Sequence, residues 1–120
     1  MSCIKVILNF QNEIKLHHWG TQSYASHMAL GGLYEALDPL LDEFAETYMG
    51  TNGRQEIKEI SQLALNGPFK ISIDSVLDSF EDYLKNELPK EIKQDQTALL
   101  NIRDEMLGLV QKTKYLLTLK

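Results

Sequence analysis

The 120-residue sequence is poor in the residues that cross-link a chain or bind nucleic acid. Its single cysteine, Cys3, excludes a disulfide within the chain, and nothing in the cysteine usage points to an oxidising compartment. The 12 Lys and Arg residues against 17 Asp and Glu residues give a net charge of −5, which argues against a nucleic-acid partner because that binding depends on neutralising phosphates. The apolar run from Ile4 to Leu8 is too short for a signal peptide or a membrane span. We therefore expect a cytoplasmic protein with no nucleic-acid or membrane partner.

Strand patterns are also scarce, and helical periodicity takes their place. Only residues 69–73 resemble a strand, and so short a segment does not build a sheet alone. Apolar residues recur at three- and four-residue steps in four long segments, which predicts four amphipathic helices: Cys3 to Trp19, Tyr24 to Met49, Ser72 to Leu88 and Gln94 to Leu119. A short extra helix is predicted from Arg54 to Leu65. A chain of this length fits one domain, residues 1–120, and the pattern predicts an all-α four-helix bundle with a crossover.

The periodicity also predicts the core and the effect of two prolines. Pro39 lies inside the second segment, where we expect one kinked helix; the alternative is that Asp38 caps a new helix and splits the segment. Pro89 is expected to end the third helix. The predicted core is Phe10, Ile14, Leu37, Leu41, Phe44, Phe80, Met106 and Leu116.

Histidines and carboxylates are distributed along the first two helices in a way that suggests a metal site. The histidines surround the predicted helix junction, while four acids, Glu35, Asp38, Asp42 and Glu46, recur along the second helix. Like charges at this spacing destabilise a helix by roughly 0.2–0.5 kcal/mol per pair unless a cation compensates. Helical bundles build metal sites from such facing side chains. The alternatives are a solvated acidic face and histidines bonded to the backbone.

A family resemblance favours the metal interpretation. The order Lys15-Leu-His-His-Trp19, then His27, then Leu33 to Leu37, then Leu41-Asp-Glu-Phe-Ala-Glu46, resembles the first two helices of the Dps-type mini-ferritins. The segment from Arg54 to Leu65 resembles the short helix between their second and third helices. The resemblance implies a ferritin-like four-helix bundle with a short extra helix in that crossover. It also implies a homo-oligomer, either a dimer or a larger assembly.

In this family, iron is bound at a two-fold interface between subunits. Carried over to this sequence, His18 and His27 of one subunit and Asp42 and Glu46 of another are the expected metal ligands, with His17 as a substitute for His18. The expected cofactor is iron, for which Zn or Mn could substitute, and the implied activity is that of a ferroxidase.

One departure from the family supports a different interpretation. Gly31 stands where the family usually places an acidic ligand, one helical turn after the second histidine. On the metal hypothesis, Gly31→Asp is expected to tighten binding. The alternative function is a structural or interaction protein that keeps the mini-ferritin fold without its metal site.

Overall fold

The computed structural model describes residues 2–56, 65–68 and 70–119. The helices are α1 (Cys3–Gly20), α2 (Tyr24–Asn52), α3 (Ile73–Asp82), a π-helical turn (Tyr83–Glu87), α4 (Leu88–Glu91) and α5 (Thr97–Leu116). Over these described ranges there is no strand, so the all-α prediction is confirmed. The predicted helix from Arg54 to Leu65 falls mainly on residues 57–64, which lie outside the described residues.

The first two helices begin and end close to their predicted positions. Ser23 caps α2, because its hydroxyl accepts a hydrogen bond from the backbone N–H of Ser26 at 3.2 Å. Pro39 lies on the exposed surface inside α2, and the helix continues through it to Asn52. The structure therefore agrees with one continuous helix and not with a helix split at Asp38.

The third helical segment departs from the prediction at Pro89. The helix does not end there, because the π-helical turn widens the backbone and α4 follows with Pro89 in its first turn. The N–H of Leu88 donates to the carbonyl of Tyr83, five residues back. Proline has no N–H, and the carbonyl of Leu84 instead accepts from Nη1 of Arg103 on α5 at 3.0 Å. A side chain from another helix therefore replaces the bond that proline removes.

Among the described residues, α1, α2, α3 and α5 each pack against two of the others, and these neighbours run in opposite directions. α1 and α5 both contact α2 and α3. The ring of Phe10 on α1 stacks on Phe80 of α3 at 4.6 Å, and Lys114 of α5 pairs with Glu81 of α3 at 2.8 Å. Since α2 and α3 are both antiparallel to α1, they are parallel to each other. The chain between them, residues 53–72, must therefore connect opposite ends of the bundle.

The core confirms most of the predicted residues. Six of the eight are buried in a single cluster: Ile14, Leu37, Leu41, Phe44, Phe80 and Met106. Phe10 is partly buried, and Leu116 lies instead at the surface between α2 and α5. Cys3 is also buried, and burial raises the pKa of its thiol to about 12. None of the described helices is long and apolar enough to cross a membrane.

Candidate functional site

His18 and His27 form reciprocal hydrogen bonds across the junction between α1 and α2. Nδ1 of His18 lies 2.7 Å from the carbonyl oxygen of His27, and Nδ1 of His27 lies 2.8 Å from the carbonyl oxygen of His18. A carbonyl oxygen only accepts, so both Nδ1 atoms must carry a proton and donate it. The His18 carbonyl lies in the last turn of α1, where carbonyls have no partner within the helix. This histidine pair, His18 and His27, therefore joins the end of α1 to the first turn of α2.

The histidine pair is stacked, and its tautomer is fixed. The ring centroids are 3.9 Å apart and the ring planes differ by 14°. Because Nδ1 donates in both residues, each neutral ring keeps its lone pair on Nε2. Metal-binding histidines have the same arrangement, in which one nitrogen donates to a carbonyl and the other binds the ion. The structure thus brings together the two histidines that the sequence singled out and leaves one nitrogen of each available.

Gly31 provides the space that His18 occupies. A Cβ atom at Gly31 would lie 2.8 Å from Cε1 of His18 and 3.2 Å from its Nδ1. Both distances are shorter than normal contacts, and the ring is fixed by its hydrogen bond and its stacking on His27. This geometry argues against Gly31→Asp as a way to restore a ligand, because a side chain at this position would displace the imidazole of His18. Gly31 has a packing role that the sequence did not reveal.

A lysine held between aromatic rings lies one helical turn from the histidine pair. Nζ of Lys15 lies 3.1 Å from the hydroxyl of Tyr34 and 4.6 Å from the centre of its ring. The same nitrogen lies 5.1 Å from the ring of Trp19, which is itself 64% exposed. Contacts of this kind stabilise the cation through the ring faces. They fix the end of α1 against α2 beside the histidine pair.

His17 belongs to a different environment. Its side chain is buried, and within the part of the chain that the structure describes its Nε2 has no hydrogen-bond partner. Burial lowers the pKa of His17 below the ordinary value, while the neighbouring Glu13 carboxylate acts in the opposite direction. Glu13 accepts hydrogen bonds from the backbone N–H groups of Asn66 and Gly67. It is therefore His18, and not His17, that pairs with His27.

The predicted acidic ligands lie far from the histidines within one chain. At a rise of 1.5 Å per residue, Asp42 lies about 22 Å and Glu46 about 28 Å from His27 along α2. Both carboxylates are exposed. Among residues 2–56, 65–68 and 70–119, no group of three or more His, Cys, Asp or Glu side chains is placed to hold a metal ion. The four predicted ligands can meet only if two chains contribute them.

The acids of α2 also lack cations on their own helix. No Lys or Arg occurs between Tyr24 and Asn52. Asp38 accepts a hydrogen bond from Nε2 of Gln11 on α1 at 2.9 Å, which ties this acid to the helix interface. Asp42 and Glu46 remain on the solvated side of α2.

The structure also shows an apolar surface that sequence reasoning missed. We call it the α2–α5 strip, since it follows the outer seam between these two antiparallel helices. Its central part is lined by Ala36, Pro39, Leu40, Glu105, Gly108, Leu109 and Lys112. Its end near the start of α2 is lined by Ala25, Met28, Ala29, Leu116 and Leu119. In the sequence, the apolar stripe of α5 is wider than the face that packs on the core, because it includes Leu109 and Leu116. This extra width is the feature of the sequence that could have predicted the strip.

Large apolar side chains are exposed at the same end of the bundle as the histidine pair. They come from the end of α1, the start of α2 and the end of the chain: Trp19 64%, Tyr24 76%, Met28 56%, Tyr115 62% and Leu119 50%. Several large apolar side chains exposed at one end of a small protein are typical of an interaction surface. This end of the molecule therefore differs from the acidic end of α2.

Comparisons with known proteins give a family without a described activity. The model of a family of unknown function, DUF5856, matches residues 18–117. A protein of Enterobacteria phage T4, described as an uncharacterized 14.6 kDa protein in the mobD-ri intergenic region, is 33% identical over 106 residues. That match covers 86% of this chain and 75% of the phage protein. No solved structure matches the chain.

Proposed function

This chain belongs to the DUF5856 family, and we propose that it is a structural or interaction protein that works as a homo-oligomer. The observation that carries this proposal is the α2–α5 strip, an apolar seam on the surface of a small bundle. Apolar patches on a protein surface often mark the places where another protein binds. Most soluble oligomers are closed symmetric assemblies of identical chains, and such an assembly would cover this surface.

The way in which the helices are connected along the chain supports a ferritin-like fold for the proposed subunit. α2 and α3 are parallel, and the chain between them joins opposite ends of the bundle, as in ferritin-like folds with one long crossover. The specific likeness to mini-ferritins rests on the motif from Lys15 to Glu46. On this basis we propose the ferritin-like bundle as the unit that assembles.

The mass of the protein in solution tests the proposal. Sedimentation velocity between about 1 and 100 μM should show a dimer or larger multiple of the 13.7 kDa chain, since micromolar affinity is enough to hold a dimer in this range. A single 13.7 kDa species across the whole range would contradict homo-oligomerisation. The measurement is made with and without a chelator, so that metal-dependent assembly is recognised.

Metal binding is the second candidate, and a specific observation favours it. In the histidine pair both Nδ1 atoms are held by carbonyls and both Nε2 atoms keep their lone pairs. We propose that His18 and His27 of one subunit bind a divalent ion together with Asp42 and Glu46 of another. Neutral imidazoles and carboxylates suit Fe(II), Zn(II) and Mn(II), and iron oxidation is the activity that the mini-ferritin resemblance would add.

Exposed acids allow a clean test of this second candidate. Asp42→Asn combined with Glu46→Gln should not lower the melting temperature of the metal-free protein, because both side chains are solvated and the substitutions remove repulsion between like charges. It should abolish the rise in melting temperature that Zn(II) or Fe(II) causes by binding only the folded state. Glu43→Gln is the control, since Glu43 is an exposed acid of the same helix outside the proposed ligand set. Equal metal responses in the double variant and the control would reject the site.

A further inference from the structure

We propose that the α2–α5 strip binds a second copy of this chain, with the two α5 helices antiparallel about a two-fold axis that passes between Gly108 and Leu109. This inference rests on the proposed homo-oligomer and names its contact surface. The interface would be isologous, so the same residues contribute from both subunits.

The two charged side chains of the strip are arranged to complement themselves. Glu105 and Lys112 both line its central part, and they lie two helical turns apart on one face of α5. The midpoint between them falls between Gly108 and Leu109. A two-fold axis at that midpoint places Glu105 opposite Lys112 of the partner subunit, and Lys112 opposite Glu105 of the partner subunit. One symmetry operation therefore forms two ion pairs.

These two side chains have no ion pair within the described chain, whereas other charged residues of α5 do. Lys114 pairs with Asp78 at 2.6 Å and with Glu81 at 2.8 Å. Over the described residues, neither Glu105 nor Lys112 makes such a contact. Opposite charges that flank an apolar groove and lack partners in their own chain are suited to pairing across an interface.

Gly108 allows the two helices to approach closely at the axis. A Cβ atom at Gly108 would meet nothing within 4 Å, so the backbone there is open to solvent and to another chain. Packed helices are typically 8–10 Å apart, and the shorter distances require small residues at the crossing point. Ala36, Pro39 and Leu40 of α2 line the same part of the groove and would be covered by the partner helix.

The other exposed side of α2 does not offer the same complementarity. There the helix presents Asp42 and Glu46, and α2 contains no Lys or Arg. A contact along α1 and α2, as the mini-ferritin resemblance implies, would need a bound cation to join acids to the histidine pair. A contact along α1 and α2 should therefore depend on metal, whereas a contact through the α2–α5 strip should also form in the presence of a chelator.

The first test inserts a bulky side chain at the axis. Gly108→Arg should leave the monomer folded, because the position is open, but should weaken dimerisation at least tenfold by holding the α5 helices apart. Gly50→Arg is the matched control: Gly50 is also a helical glycine whose Cβ would meet nothing within 4 Å, and it lies outside the strip. Both variants are checked by far-UV circular dichroism and then compared in chelator by sedimentation equilibrium.

The second test exchanges the charges. Glu105→Lys and Lys112→Glu should each weaken dimerisation by roughly tenfold or more, because each turns two attractive pairs into repulsive ones. The double variant Glu105→Lys/Lys112→Glu should recover the wild-type dissociation constant. An equimolar mixture of the two single variants should form a heterodimer, since both pairs are then attractive.

The outcomes separate this inference from the proposed function. Failure of the double variant to recover, or equal dimerisation of Gly108→Arg and Gly50→Arg, would overturn the strip as the contact while leaving the homo-oligomer intact. A wild-type protein that is monomeric throughout would overturn both. Recovery in the double variant together with heterodimer formation in the mixture supports the two-fold arrangement.

Discussion

At the scale of single residues, glycine and histidine are coupled where α1 meets α2. The absence of a side chain at Gly31 allows the His18 ring to lie against α2, and His18 in turn stacks on His27. A sequence motif shows which residues are present but not which of them needs the space of its neighbour. The glycine that appeared to be a lost ligand is a packing requirement of the histidine pair.

Adjacent glycines provide a direct test of this coupling. Gly31→Ala should lower the free energy of unfolding by about 1–2 kcal/mol, because the lost hydrogen bonds of the histidine pair outweigh the better helix propensity of alanine. Gly32→Ala should raise it by up to about 1 kcal/mol, since a Cβ there meets nothing within 4 Å. Urea denaturation of both variants gives the comparison. Stabilisation of the protein by both substitutions would show that Gly31 is not a packing requirement.

Burial of His17 predicts the direction of a pH effect. The pKa of His17 is lowered in the folded state from the ordinary 6.5, mainly by burial, whereas in the unfolded chain it regains its ordinary value. Above pH 6.5 the residue is neutral in both states, and below it the unfolded chain binds the proton first. The stability that depends on neutral His17 is therefore present above pH 6.5 and is lost as the pH falls through the lowered folded value.

The replacement His17→Leu isolates this contribution. Urea denaturation at pH 7.5 and at pH 5 should show that acidification destabilises this variant less than the wild type, because the variant lacks the buried imidazole and keeps the other two histidines. These pH values lie about one unit or more on either side of the ordinary pKa of imidazole. An identical pH dependence in both proteins would mean that His17 is not held neutral by burial.

At the scale of helices, the segment around Pro89 shows how a neighbouring element changes a local rule. Proline normally ends a helix because it removes a donor and crowds the preceding turn. Here a π-helical turn widens the backbone, and Arg103 from α5 satisfies the carbonyl of Leu84. The helical path continues because a tertiary contact compensates for the missing donor.

Arg103 should accordingly matter more than an ordinary surface cation. Arg103→Met keeps an apolar stem but leaves the Leu84 carbonyl without its donor, which should lower the free energy of unfolding by about 1.5–3 kcal/mol. Lys90→Met is the control, since its pair with Glu87 is exposed and is worth at most about 1 kcal/mol. Thermal and urea denaturation measure both. If the free energy of unfolding falls no more in Arg103→Met than in Lys90→Met, the hydrogen bond from Arg103 does not stabilise the π-helical turn.

At the scale of the whole molecule, the bundle is asymmetric along its length. One end carries the histidine pair and exposed aromatic side chains, the other end of α2 carries exposed acids, and the α2–α5 strip runs between them. The proposed contacts between copies would use these distinct surfaces. The stability of the molecule should depend on those contacts as well as on its own core.

Assembly should therefore make thermal stability depend on protein concentration. Because a partner subunit binds only the folded chain, the melting temperature of the wild type should rise between about 1 and 100 μM, a range that spans typical weak dimer affinities. Gly108→Arg should show a smaller rise, and Gly50→Arg should behave like the wild type. A wild-type melting temperature independent of concentration would contradict assembly at these concentrations.

The sequence by itself determined the helices and the neighbourhood of the two histidines. Periodicity placed α1, α2 and α5, and the short junction capped by Ser23 brought His18 close to His27. Helical rise alone also separates Asp42 from His27 within one chain. These properties follow from local spacing along the backbone, which a sequence contains in full.

Only the tertiary structure decided the rest. The role of Gly31 depends on the ring of His18 from another helix, and the path through Pro89 depends on Arg103. The partial exposure of Leu116 in the α2–α5 strip depends on the distance between α2 and α5 at their outer seam. Each of these depends on the distance between atoms of different elements. Periodicity gives the face of a helix but not how completely a neighbour covers it.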